Sequence, residues 1–310
     1  MVPREGGGLP VAACPDNPPP MTPARLAFPA MLTGSIALAF GPWLVRSADV
    51  PATASAFWRM ALAVGPLAGL AWVVARRTAT PFAVPRGATL AAIAAAGVLF
   101  ALDLAFWHLG IHRTTLANAT LVGNCASFLL PVYGFVITRT LPGRAASLAL
   151  LCAAAGMGLL IGRSADVSVG HLTGDLLCIG AGVAYAAYFI AIDRVRGTVA
   201  PLPLLALATT FGALALLPVA VLTGPIWPHD WTPLILLAIG SQVIGQGLIV
   251  FAVGYLPPMV VGLTLLVQPA IAATIGSWRY GEAIGPAELG GMALVAVALV
   301  LVRLPARRVA

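Results

Sequence analysis

No lysine occurs in this chain, and all seventeen of its basic residues are arginines. With alanine, glycine and proline abundant, that usage reads as the product of a GC-rich bacterial gene. Charge of either sign is scarce. Only 9% of the 310 residues are charged, where soluble domains carry about 25%. The net charge of +7 comes from arginines scattered singly between apolar runs, so nucleic acid is not an expected partner. The four cysteines, Cys14, Cys125, Cys152 and Cys178, lack metal-ligand spacing and read as buried free thiols. A glycine-rich phosphate loop is missing, so ATP is not the expected energy source. A membrane enzyme would need paired carboxylates or a Cys/His cluster at one membrane face, and neither is evident. The chain is therefore not read as an enzyme, and no cofactor or metal is expected.

What the chain has in excess is apolar length. Sixty per cent of residues are hydrophobic and mean hydropathy is +0.98. Asp, Glu and Arg are absent from 26–45, 60–75, 114–138, 145–162, 176–192, 197–228 and 231–278. Several of these runs approach or exceed the roughly 20 residues that cross a bilayer as helix. Hydrocarbon offers the backbone no hydrogen bonds, which leaves helices or a closed barrel. Barrel strands alternate polar and apolar residues, and these segments do not. The expectation is an all-α membrane protein.

Residues 1–25 hold seven prolines and a glycine triplet and are expected to form a disordered tail. The first apolar run is long enough to be a retained helix rather than a cleaved signal. Spans are expected near 26–45, 55–75, 87–107, 114–138, 144–162, 174–193, 201–222, 232–253, 259–278 and 284–303. The stretch 231–278 must break, and Gly254-Tyr255-Leu256-Pro257-Pro258 is where, because consecutive prolines cannot continue a helix.

Arginine counting gives an orientation. With both termini cytoplasmic, the inside segments hold twelve arginines and the outside loops hold Arg46, Arg113, Arg163 and Arg279. Arg59 lies in span two. Both termini are thus expected inside, in a bacterial inner membrane, with 163–173 a periplasmic loop and 304–310 a cytoplasmic tail.

Asp-Leu-Ala-Phe-Trp-His at 103–108, then Ala-Asn-Ala-Thr-Leu at 117–121 and Asn124, resembles the third-to-fourth-span signature of EamA-type transporters of the drug/metabolite transporter superfamily. Gly-Gln-Gly-Leu-Ile at 245–249, Leu-Leu-Val-Gln-Pro at 265–269 and Gly-Glu at 281–282 resemble the matching region of a second half. Gly-Asp-Leu-Leu at 174–177 looks like the start of that second repeat. The resemblance implies ten transmembrane helices as two inverted five-helix repeats, 26–162 and 174–303, and a transporter. Ser127 and Thr140 stand where the family pattern has proline and glutamate, and Pro131 is the expected source of a kink in span four.

Ionisable groups inside spans are expensive and mark function by default. Asp103 shares a helix face with Phe106 and Trp107, and could offer a carboxylate and a stacking ring to a cationic or zwitterionic solute. The other reading is an outer-end carboxylate hydrated by the adjacent loop. Arg59 opens span two and is expected to snorkel outward, with pairing to Asp103 as the alternative. His108 is a possible proton relay or an interfacial histidine; His108 and His112 find no third metal ligand nearby. Asn118, Asn124, Gln246 and Gln268 lie in apolar helices and should face the bundle interior, as interhelical glue or as cavity lining. Tyr185 and Tyr188 are path candidates, and Trp278 beside Arg279 reads as an interfacial anchor. Gly156, Gly158 and Gly162 are close-packing surfaces.

Asp103, Trp107, Asn118, Asn124, Tyr185, Tyr188, Gln246 and Gln268 are thus the expected substrate residues, with Asp103 and His108 as coupling residues. The expected function is a secondary transporter exporting amino-acid-like or related small polar metabolites by alternating access. Its expected partners are the solute, the lipid bilayer and protons, and its state a monomer or homodimer. Import or exchange, and a membrane enzyme, are the alternatives.

Overall fold

The structure, a computed structural model, describes residues 23–78, 84–113, 119, 122–139, 142–161, 172–280 and 285–303. Helices dominate, and no strand occurs among the described residues. In chain order they are α1 (Pro23–Ala39), α2 (Gly41–Ser47), α3 (Ala52–Arg77), α4 (Ala88–Ile111), α5 (Ala126–Thr138) and α6 (Arg144–Ile161). There follow α7 (Leu172–Val195), α8 (Pro201–Thr223), α9 (Thr232–Leu236), a π-helix (Leu237–Gln246) and α10 (Gly247–Val253). The chain then continues through α11 (Pro258–Leu265), α12 (Val267–Tyr280) and α13 (Pro286–Arg303).

Seven helical stretches among the described residues are long and apolar enough to cross a membrane; the shorter apolar helices 126–138, 144–159 and 289–302 fall within the remaining expected spans. Large apolar side chains stand outward along them, among them Val136, Leu151, Leu222 and Val300. In water such a surface would be a liability, whereas in lipid it is the solvated face. This is a multi-pass membrane protein.

Local chemistry explains the boundaries. α8 and α11 begin at Pro201 and Pro258, where the missing N–H is one the first turn leaves unbonded in any case. α10 stops at Val253 and α11 starts at Pro258, so the chain breaks within the double-proline segment. Gly87, at φ 60°, supplies the left-handed residue that turns the chain into α4. The expected uninterrupted span 114–138 needs correction. Asn124 and Cys125 form a turn, and α5 starts only at Ala126. Pro131 lies inside α5, and its ring packs where a side chain on Gly262 would otherwise go.

Small residues set the packing. A Cβ on Gly110 would meet Gly174 and Cys178, one on Gly180 would meet Phe106, and Phe100 stacks on Tyr188. Contacts that ascend α7 as they descend α4 make the two helices antiparallel. α3 and α8 cross the same way, since Met60 abuts Gly212 while Thr53 hydrogen-bonds Thr223. α5 runs antiparallel to α11 through Ser127–Gly262 and Gly134–Pro258, and α6 meets α13 where Gly156 lies against the Gly291 carbonyl. At the end of the bundle where α2 joins α3, Asp49 Oδ2 accepts from the backbone N–H groups of His229 (2.8 Å) and Asp230 (3.1 Å). The Trp58 indole donates to the Ile226 carbonyl there and packs against Trp227 and Trp231.

Candidate solute site

A cavity of about 600 Å³, measured out to its mouth, opens between α1, α3, α4, α7 and α12. α4 contributes a stripe at helical spacing: Phe100, Asp103, Leu104 and Trp107. Asn124 enters from the turn before α5, Tyr185 from α7 and Gln268 from α12. Of the residues named from the sequence, the fold thus brings Asp103, Trp107, Asn124, Tyr185 and Gln268 to one cavity. Asn118 lies outside the described residues. Gly123 packs beneath the Trp107 indole, and a Cβ there would meet the ring at 3.3 Å, so the turn and the aromatic wall fit closely.

Arg59 also lines this cavity, and here the sequence expectation fails. Instead of snorkelling to the surface, it is 4% exposed. Its Nε donates to Gln242 Oε1 at 3.4 Å, the Gln242 amide donates to Thr209 Oγ1 at 3.1 Å, and the guanidinium lies 5.9 Å from the centre of the Phe100 ring. A buried cation is tolerable only when its donors are met. The network reaching from α3 through the π-helix to α8 begins to meet them. Asp103 lines the same cavity, and no ion-pair contact joins it to Arg59.

Gln246 and Tyr188 stand behind the wall. The Tyr185 hydroxyl donates to Gln246 Oε1 at 3.1 Å, which fixes the tyrosine rim from behind. Tyr188 is fully buried, its ring stacked on Phe100 at 4.7 Å and 18°. Its hydroxyl and the Gln246 Nε2 have no hydrogen-bond partner among the described residues. His108 is also fully buried, with Nδ1 2.7 Å from Ser55 Oγ and Nε2 unpartnered among the described residues. Trp278 is 78% exposed.

Sequence reasoning missed Gln242, Thr209 and Ser55. Gln242 carried a usable signal: it is an amide in an apolar run, four residues before Gln246. Thr209 and Ser55 carried none, because threonine and serine in apolar helices usually satisfy their own backbone. The π-helix explains how Gln242 and Gln246 both become buried. Its wider i→i+5 turn presents Ser241, Gln242 and Gln246 to the interior together, all at 0% exposure.

Residues 172–304 match the EamA-like transporter family. Among curated proteins, the chain is 29% identical over 143 residues to the threonine/homoserine exporter RhtA of Escherichia coli strain K12 and, equally, to those of strains O6:H1 and O157:H7. That alignment covers 45% of this chain and 48% of each relative, so the chain spans about half the length of the curated relatives it matches. A solved protein crystal structure superposes with a TM-score of 0.70 at 19% identity. It covers 92% of this chain and 98% of its own, and shares the fold.

Proposed function

Starting from a multi-pass membrane chain whose residues 172–304 carry an EamA-like transporter domain, we propose a secondary transporter that exports small zwitterionic metabolites of the amino-acid class. The observation that carries this reading is the pair of opposite charges in one cavity. Arg59 and Asp103 both line it with no salt bridge at contact distance between them. An α-amino acid brings a carboxylate for the guanidinium and an ammonium for the carboxylate, so one solute satisfies both. Trp107, Phe100 and Tyr185 offer rings to the side chain and the ammonium, and Asn124 and Gln268 add amides at the rim. The RhtA relatives are exporters of threonine and homoserine, which are solutes of this kind.

In this reading the ten helical segments form two five-helix halves of opposite orientation, 26–162 and 174–303. The antiparallel crossings of α3 with α8, α5 with α11 and α6 with α13 support it, because each pairs a segment of the first half with its counterpart in the second. Inverted halves place the solute near mid-membrane and rock about it to alternate access. The membrane is the bacterial inner membrane with both termini cytoplasmic, and protons entering through Asp103 and His108 drive export.

The test is counterflow of radiolabelled L-threonine, and of a panel of neutral, anionic and cationic metabolites, by purified protein in liposomes with and without a proton gradient. Zwitterions should exchange, and the gradient should accelerate them. Asp103→Asn keeps the shape and removes the charge, so gradient-driven flux should fall by at least about tenfold, the scale of one charge-assisted hydrogen bond. Selective movement of anions or cations, or wild-type flux and pH profile in Asp103→Asn, overturns the reading.

A further inference from the structure

A second cavity, about 280 Å³ when its open mouth is included, lies farther along α7, between α5, α10 and α11. Its wall includes Tyr133, Phe189, Asp193 and Leu256. Three side chains on one face of α7 connect it to the first cavity. Tyr185 lines the first, Phe189 lines the second, and Asp193 stands one turn beyond Phe189. Tyr185 and Phe189 pack directly on each other, with ring centres 4.5 Å apart and planes tilted by 56°. From Tyr185 to Asp193 the helix rises about 12 Å, at about 1.5 Å per residue. Two cavities therefore draw on one face of α7, and the contacting rings of Tyr185 and Phe189 join their walls.

The chemistry of the second cavity is one-sided. Asp193 is its charged wall residue, Tyr133 and Phe189 are aromatic, and the rest of its lining is aliphatic or proline. Asp193 already holds a cation. Arg196 Nε lies 2.6 Å from its Oδ1, with both side chains about one-third exposed. The same arginine extends Nη1 to the Gly254 carbonyl at 2.6 Å, which ties the end of α7 to the segment between α10 and α11. An internal guanidinium thus sits where an ammonium group entering the cavity would bind. Displacing it would also free the Gly254 carbonyl.

We propose that the cavity bounded by Tyr133, Phe189 and Asp193 is a second solute site. It takes the ammonium end of the zwitterion in exchange for Arg196, and Tyr185 and Phe189 form the gate between the two sites. This rests on the transport reading above and adds a residue, Asp193, that acts on one side of the gate only.

The decisive comparison is between two variants that break the same ion pair from opposite ends. Asp193→Asn removes the carboxylate the solute needs, while Arg196→Gln removes the cation that competes with it. In liposomes, Asp193→Asn should slow L-threonine counterflow by about tenfold, the scale of a lost charge-assisted contact. Arg196→Gln should leave the rate unchanged or raise it, and Asp193→Glu should restore most of it. The Asp103-dependent part of equilibrium L-threonine binding in detergent, which reports the first site, should stay within about twofold for both variants, below a meaningful free-energy change. It should be lost in Asp103→Asn. If Asp193→Asn and Arg196→Gln slow counterflow equally, the pair is a mechanical latch and the second site is refuted. Wild-type rates in Asp193→Asn refute it too, while an effect of Asp103→Asn leaves the transport reading standing. Absence of zwitterion exchange by the wild type brings down both.

Discussion

Ser55 and His108 meet across α3 and α4, with Oγ and Nδ1 2.7 Å apart in a fully buried setting. Ser55 Oγ also lies 2.8 Å from the Ala52 carbonyl, which can only accept a proton. The serine has one proton to give, so it donates to Ala52 and accepts from His108 Nδ1–H. The neutral imidazole then carries its lone pair on Nε2, the atom left without a partner among the described residues. That tautomer leaves Nε2 as the acceptor atom of the ring. Ser55→Ala should therefore release the tautomer and cost about 1–3 kcal/mol, the penalty of a stranded buried donor. A shifted pH profile of flux checks the first, and a lower melting temperature in detergent the second.

Gln242 joins Arg59 to Thr209, and breaking the chain in its middle should hurt most. Gln242→Leu leaves a buried guanidinium short of an acceptor and should destabilise by about 1.5–3 kcal/mol. With Arg59→Leu already in place, the same change should cost much less. A double-mutant cycle should return a coupling within about 0.5–3 kcal/mol. Additive losses would show that the two side chains do not depend on each other.

Glycines on two faces of the bundle should respond oppositely. A Cβ on Gly97 would run into the Ala208 carbonyl, a backbone atom that cannot move aside, so Gly97→Val should separate α4 from α8 and cost upwards of about 3 kcal/mol. A Cβ on Gly69 meets nothing within 4 Å on the exposed face of α3, and Gly69→Ala should stabilise by about 0.5–1 kcal/mol. Fluorescence-detected size exclusion after heating ranks the two against wild type.

Asp49 lies outside the spans, where the backbone N–H of Asp230 first and that of His229 second hold its carboxyl below the ordinary 3.8. The charged form is favoured in the folded state, so its contribution is complete above the unfolded value and disappears as pH falls through the lower folded one. Wild type should lose melting temperature between neutral pH and about pH 3. Asp49→Asn should show a smaller part of that loss.

The spans were legible because lipid imposes length and apolarity, and both are written in composition: α3, α7 and α8 lie within a few residues of the expected limits. The break at Pro257–Pro258 was legible because proline fixes its own backbone. The break before Ala126 was not, because Asn124 and Cys125 carry no such local constraint. Arg59 was misread for a related reason. Its position near a helix start suggests water, but its partner Gln242 is 183 residues away along the chain. Asp103, Asn124 and Gln268 were found from the sequence because a polar group in an apolar helix announces itself, whereas Thr209 resembles any helix-satisfied threonine. The π-helix left no mark in composition at all.

Chain length matters differently in that π-helix than in a loop. Deleting one residue between Leu237 and Gln246 would let the segment relax to ordinary α-helix, whose narrower turn would no longer present Ser241, Gln242 and Gln246 to the interior together. Gln242 is tied to Arg59 and Gln246 to Tyr185, so a segment one residue shorter could keep one of these partners but not both. A one-residue deletion here should therefore break the Arg59–Gln242 or the Tyr185–Gln246 hydrogen bond. The count of residues in this stretch is a heritable character of the site.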